Sequence, residues 1–235
     1  MIQPKLNRLA VPAFLALAFA CAPASNNRGS ESTSTRQDTA AVGSKKAPTD
    51  SDIVRADLAR IQGSPNAPVW VIEVSDFQCP YCKQWHDSTY QAFRDEFVRT
   101  GKVRLAYVNF PLAQHQYAWP AAESAMCAGA QNKFWQMHDA LFNTQNQWEG
   151  LPSPTAFFDS LARAQGVNID RWRQCVQSGK MKAWIQADHD RAQTAGAGST
   201  PSFMIGDKLL VGAQPIEELR SAIDSALAKN AKTAP

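Results

Sequence analysis

Two cysteines separated by two residues, Cys79 and Cys82, stand at the seam between two unlike stretches of chain. Before them runs Val69-Trp70-Val71-Ile72, apolar and rich in β-branched residues; after them, Gln84 to Phe97 has helical spacing. A chain with that order hands a strand directly to a helix, and the first cysteine then sits at the helix start. Unpaired backbone N–H groups and roughly half a positive charge gather there, so a thiolate at Cys79 is stabilised over the thiol. The spacing also lets the two sulfurs meet across one helical turn and close a disulfide. It is half of a zinc site too, but structural zinc needs a second close pair, and Cys127 and Cys175 each stand alone. A redox pair is therefore expected, with no metal and no other cofactor.

The run Glu73-Val74-Ser75-Asp76-Phe77-Gln78-Cys79-Pro80-Tyr81-Cys82, followed far downstream by Ser199-Thr200-Pro201-Ser202-Phe203, resembles the DsbA-like branch of the thioredoxin superfamily of thiol-disulfide oxidoreductases. The resemblance extends from Pro65 to Leu227. It implies an α/β protein: a thioredoxin fold with a helical insertion between its βαβ and ββα halves. It also implies exchange chemistry in which Cys79 is attacked and Cys82 resolves. Thr200-Pro201 would be a cis step facing the pair, leaving the Thr200 backbone free to bond an extended substrate, with Pro80 and Tyr81 beside it. Glu73 falls six residues before Cys79, where the family carries a buried acid. The implied role is to accept the Cys82 proton when that thiol attacks the mixed disulfide. The residues alone leave a second reading open, in which Glu73 lies at a strand end and reaches solvent.

Charge gives little away. The 235 residues carry 24 basic and 21 acidic side chains, and with Lys5 and Arg8 set aside 22 basic residues face 21 acidic ones. No nucleic-acid or polybasic membrane partner follows from that balance. Lys5 and Arg8 instead open a secretion-signal pattern over residues 1–21. Leu9 to Phe19 is an apolar run of about eleven residues, short of the roughly twenty that span a bilayer. Ala18-Phe19-Ala20-Cys21 also resembles a bacterial lipoprotein signal with Cys21 as the lipidated residue, although Ala18 stands where Leu is usual; ordinary cleavage after Ala20 or Ala24 is the alternative. Residues 22–50, rich in Ser, Thr, Asn, Gly and Ala without apolar periodicity, are expected to form a flexible tether. The expected location is periplasmic or otherwise extracytoplasmic, lipid-anchored at the membrane if Cys21 is modified.

Residues 51–235 are expected to form the thioredoxin-like domain. A short helix is read over Asp52 to Ile61, then a strand over Val69 to Ser75 whose unbroken apolar start fits a central strand covered on both faces. A helix from Tyr81 to Arg99 places Trp85, Phe93 and Phe97 on one face, and Val103 to Val108 is a second strand. The helical insertion, about residues 112–195, holds helices at 118–130, 133–143, 153–165 capped by Ser153-Pro154, 170–178 and 181–194. A hairpin turning at Gly206-Asp207 and a last helix over 215–228 complete the domain. Trp119, Trp135, Met137 and Trp172 read as core. His86 reads as a solvated helix residue, and His115, His138 and His189, without metal-ligand spacing, are given no role. Cys127 and Cys175, the other cysteines of the exported fold and both in candidate helices, are expected to form a structural disulfide.

The expected function is a monomeric, exported thiol-disulfide oxidoreductase that introduces disulfides into exported polypeptides and is reset by a redox partner in the membrane or in solution. Reduction or isomerisation by the same pair is the alternative. Isomerases of this superfamily carry a folded dimerisation domain where this chain has a tether. A third reading is a binding module whose Cys79–Cys82 bridge is merely structural.

Overall fold

In a computed structural model of the protein, residues 50–233 are described; the expected signal over residues 1–21, with Cys21, and nearly all of the expected tether lie outside them. α1 (Ser51–Ala59) is capped by the Asp50 carboxylate, which accepts from the Asp52 N–H. It is shorter than expected, because Ile61 leaves the helix for the two-residue β1 (Ile61–Gln62). There it faces Ala106 in an antiparallel pair. Leu58 is 60% exposed. Arg60, buried at the helix end, makes ion pairs with Asp57 and the buried Asp188. Asp188 also accepts from the Asn109 backbone and side chain, which ties α1, the sheet and the insertion together.

β2 (Val69–Ser75) is the middle of a five-stranded sheet ordered β1-β3-β2-β4-β5. β3 (Val103–Asn109) lies parallel to it in the register Glu73 to Tyr107 and Ser75 to Asn109. Central position did not bring two covered faces. Trp70 is 43% exposed, with the Arg104 guanidinium 4.6 Å from its ring centroid. The turn before β2 needs a glycine, because Gly63 has φ +102° and a Cβ there would lie 2.5 Å from the Val103 carbonyl oxygen.

Between these strands the chain is helical from Pro80 to Val98: α2 (Pro80–Trp85), a π-helical stretch His86–Tyr90, α3 (Gln91–Phe93) and a second π-helical stretch Arg94–Val98. Trp85, Phe93 and Phe97 are buried in a cluster with Val71, Leu105 and Phe203 of the sheet. Each such full burial contributes about 1.5–3 kcal/mol, so this face fixes how the motif's helix lies on the strands.

The insertion comprises α4 (Ala118–Gly129), α5 (Phe134–Asn143), the one-turn α6 (Gln145–Trp148), α7 (Thr155–Ala164), α8 (Ile169–Ser178) and α9 (Lys182–Thr194). Ser153 does not cap α7; Pro154 occupies the cap position without a side-chain bond. Asn168 does cap α8, accepting from the Arg171 N–H. Met137 and Trp172 are buried in the core, with Trp119 and Trp135 packed against it. β4 (Ser202–Ile205) then pairs antiparallel with both β2 and β5 (Lys208–Val211), and Gly206 turns the hairpin at φ +60°. α10 (Ile216–Thr233) runs further than expected and buries Leu219, Ala222 and Ile223. Among the described residues no helix is long and apolar enough to cross a membrane.

Candidate active site

Cys79 is the residue that turns strand into helix. It caps α2 in an extended conformation, with Pro80 in the first turn, where a missing N–H costs nothing. Its own N–H donates to the Asp76 carbonyl at 3.1 Å. Its thiol donates to the Thr200 carbonyl at 3.4 Å, across from the cis peptide bond between Thr200 and Pro201. Both cysteines are free thiols and both are buried, Cys82 the more deeply. The Asp76 N–H points at the Cys82 sulfur at 3.5 Å. Pro80 and Tyr81 are exposed, Tyr81 by 61%.

This geometry divides the two thiols. A hydrogen bond from Cys82 does most to lower the Cys79 thiol; burial opposes it, and Thr200 and the backbone N–H groups of Cys82 and Tyr81 add to it, bringing Cys79 to about 6. Burial pushes Cys82 well above its ordinary value, and the neighbouring Cys79 adds to the rise. Lys83, next to Cys82 in sequence, is committed elsewhere: its ammonium donates to the Phe142 carbonyl at 3.0 Å and pairs with Asp87 at 2.8 Å.

Glu73 is 1% exposed, so the strand-end reading is overturned. Burial pushes its carboxyl up to about 8; the Ser75 hydroxyl pulls it back and Asp139 adds to the rise. Glu73, Ser75 and Tyr107 share one face of adjacent strands. Glu73 Oε2, Ser75 Oγ and the Tyr107 hydroxyl are buried polar atoms without a well-formed hydrogen bond, the Ser75 hydroxyl lying near enough to the Glu73 carboxyl to draw it down. Such atoms are costly in a core.

Several site residues were not anticipated from the sequence. Gln145 of α6 donates to the carbonyls of Phe77 and Cys79, at 2.7 and 3.1 Å, and so fastens the motif to the insertion. His86 is not solvated, since its ring stacks on Tyr90 and Phe142 and its side chain is 9% exposed. His138, wholly buried among Phe77, Tyr90, Tyr107 and Phe142, bonds Asp139 at 2.8 Å, and burial pushes its imidazole down to about 4. His86, His138 and Asp139 bring potential metal-binding atoms within 4.8 Å of one another. Arg94, 3.7 Å from the Asp139 carboxylate, already supplies positive charge there. His189 stacks on Phe110. His115 bonds the carboxylate of Asp76, just ahead of the motif, at 2.7 Å. Most of these contacts have no short-range pattern: Gln145, His115 and His138 lie far along the chain from the motif residues they meet.

Cys127 of α4 and Cys175 of α8 are joined by a disulfide, with Cα atoms 5.8 Å apart. It belongs to the same apolar cluster as Cys79 and Cys82.

A dithiol at a helix start behind a central strand, opposed by a cis Thr-Pro step, belongs to the thioredoxin class of fold. The chain belongs to the thioredoxin family, whose sequence pattern matches residues 56–225. A probable disulfide bond formation protein D of Bacillus anthracis is 28% identical over 171 residues, covering 71% of this chain and 77% of that protein. The Na(+)/H(+) antiporter NhaA 1 of Salinispora arenicola is 33% identical over 176 residues, which is 74% of this chain; the chain spans only 26% of the antiporter's length. Among solved structures, oxidised BdbD of Bacillus subtilis superposes with a TM-score of 0.65 over 72% of this chain and 92% of its own, at 21% identity. The fold is that of the DsbA-type proteins.

Proposed function

We propose that this protein is an exported thiol-disulfide oxidoreductase that introduces disulfides into polypeptides. The observation that carries the reading is the division of the two thiols. Cys79, facing Thr200-Pro201, favours its thiolate near neutral pH, whereas Cys82 is held as a thiol. A stabilised reduced form makes the disulfide an oxidant.

In the oxidised protein a substrate thiolate attacks Cys79 Sγ, the Cys79–Cys82 bond breaks, and Cys82 leaves with the electron pair. The buried Cys82 sulfur then needs a proton. Glu73, with its carboxyl near 8, is protonated at neutral pH and is the donor; in the reverse step it accepts. A second substrate thiolate attacks the substrate sulfur bound to Cys79, the substrate disulfide forms, and Cys79 departs as its thiolate. Two electrons pass from the substrate to the pair. Thr200, Pro201, Pro80 and Tyr81 border the groove for an extended substrate strand. The signal pattern of residues 1–21 supports export, with Cys21 as the lipid anchor. A redox partner outside the cytoplasm returns the pair to its disulfide.

The test is capture. In the full chain, Cys82→Ser leaves Cys79 unable to be resolved, so exported proteins should accumulate in mixed disulfides with it. A Cys82→Ser protein that captures nothing, while Cys79 reacts freely with a small disulfide, would overturn the polypeptide reading.

A further inference from the structure

The turn that carries Cys79 also carries a buried negative charge. Asp76 has a side chain with no exposed surface. Its Oδ1 accepts from the Gln78 N–H at 2.7 Å, and its Oδ2 accepts from the Leu112 N–H at 2.9 Å and faces His115 Nδ1 at 2.7 Å. Through its backbone the same residue touches both cysteines, the carbonyl accepting from the Cys79 N–H and the N–H pointing at Cys82 Sγ. A buried carboxylate in the turn that carries a thiolate disfavours that thiolate unless a cation balances it. Among the described residues His115 is the basic side chain paired with Asp76.

His115 is held there from both sides. Its N–H donates to the Leu112 carbonyl and its carbonyl accepts from the Ala118 N–H. Tyr117, two residues on, donates its N–H to the Gln78 side chain at 2.6 Å and its hydroxyl to the Leu151 carbonyl at 2.6 Å.

We propose that His115 is a positioning residue for disulfide exchange: its imidazolium balances the buried Asp76 carboxylate and thereby keeps the Cys79 thiolate stable enough for the pair to oxidise substrates. This deepens the function proposed above and rests on Cys79 being the exchanging thiol. The groups facing the imidazole are Asp76 after β2, Cys79 at the start of α2 and Glu149 at the end of α6; the hydrogen bond to Asp76 does most to raise it, burial opposes, and the charges of Cys79 and Glu149 add. The interaction with Cys79 is reciprocal. Whatever the thiolate does to His115, the imidazolium does to the thiolate.

Two experiments on the full chain test it. In His115→Gln, the midpoint of the Cys79 thiolate titration, read by ultraviolet absorbance, should rise by about one unit, and the equilibrium with glutathione should move about tenfold towards the protein disulfide. Asp76→Asn/His115→Gln, which removes the carboxylate together with its cation, should recover most of that loss; a merely structural histidine predicts that the double variant is worse. Should His115→Gln fail to fold, NMR titration of His115 in the unmodified protein decides. Its midpoint should lie higher with the pair reduced than oxidised, and equal midpoints would overturn the proposal. Failure of the underlying reading is distinct, because Cys79 of the unmodified protein would then not exchange with glutathione at all.

Discussion

Two pairs of cysteines share one apolar cluster and have opposite fates. Cys127 and Cys175 face each other from α4 and α8, 48 residues apart, among the packed helices of the insertion. Cys79 and Cys82 lie where that cluster meets the end of β2, a helix start and the buried polar atoms of Glu73, Ser75 and Tyr107. Burial alone would make both pairs inert. The reactive pair differs in having donors that favour charge on one sulfur, and in the proposed mechanism a buried carboxyl exchanges a proton with the other.

The sharpest way to break this comparison is to remove one sulfur of each pair. Cys79→Ser should abolish exchange with any disulfide, whereas Cys127→Ser should leave the rate per folded molecule unchanged; equal losses in a stopped-flow assay would erase the distinction. Next in size, removing Cys127 and Cys175 together frees a loop of nearly fifty residues and should cost about 4 kcal/mol in chemical denaturation. The Cys79 thiolate titration should not move with it.

Glu73→Gln sharpens the contrast from the other side. Loss of the proton partner of Cys82 should slow exchange by about 100-fold. The same residue gives stability a pH dependence. Its carboxyl ionises near 8 in the folded chain against 4.5 when free, so the folded state retains a proton that the unfolded chain gives up. Its contribution is therefore full below 4.5, declines as pH rises towards 8, and is flat above. Denaturation midpoints of Glu73→Gln should lack that decline between pH 5 and pH 8. Smallest of all, Tyr81→Ala at an exposed position should change stability by less than about 0.5 kcal/mol. Its effect should fall on polypeptide substrates and spare glutathione.

Strand, motif and helix were legible because each is a local pattern: an apolar run, a pair at fixed spacing, aromatic residues at helical intervals. Trp70 misled because a continuous apolar run cannot say whether Arg104 or a packed helix covers its face. Ile61 misled because a residue one turn beyond Leu58 fits a helix until a strand offers it a partner. The site's outer ring was hidden for a different reason. His115, Gln145 and His138 reach the motif from 36 to 66 residues beyond Cys79, and only the folding of the insertion over the sheet brings them there. Lys83 shows the converse: it is next to Cys82 in sequence, yet its ammonium is engaged by Phe142 and Asp87.

The central claim is that the surroundings of Cys79 make this pair an oxidant, and equilibration of the protein with glutathione measures that directly. A thiol near 6 lies between the roughly 7 of thioredoxin and 3.5 of DsbA. The account therefore predicts a reduction potential above about −230 mV, towards the roughly −120 mV of DsbA. A value near the −270 mV or so of thioredoxin would contradict it, and the electrons would then run from this protein to its substrates.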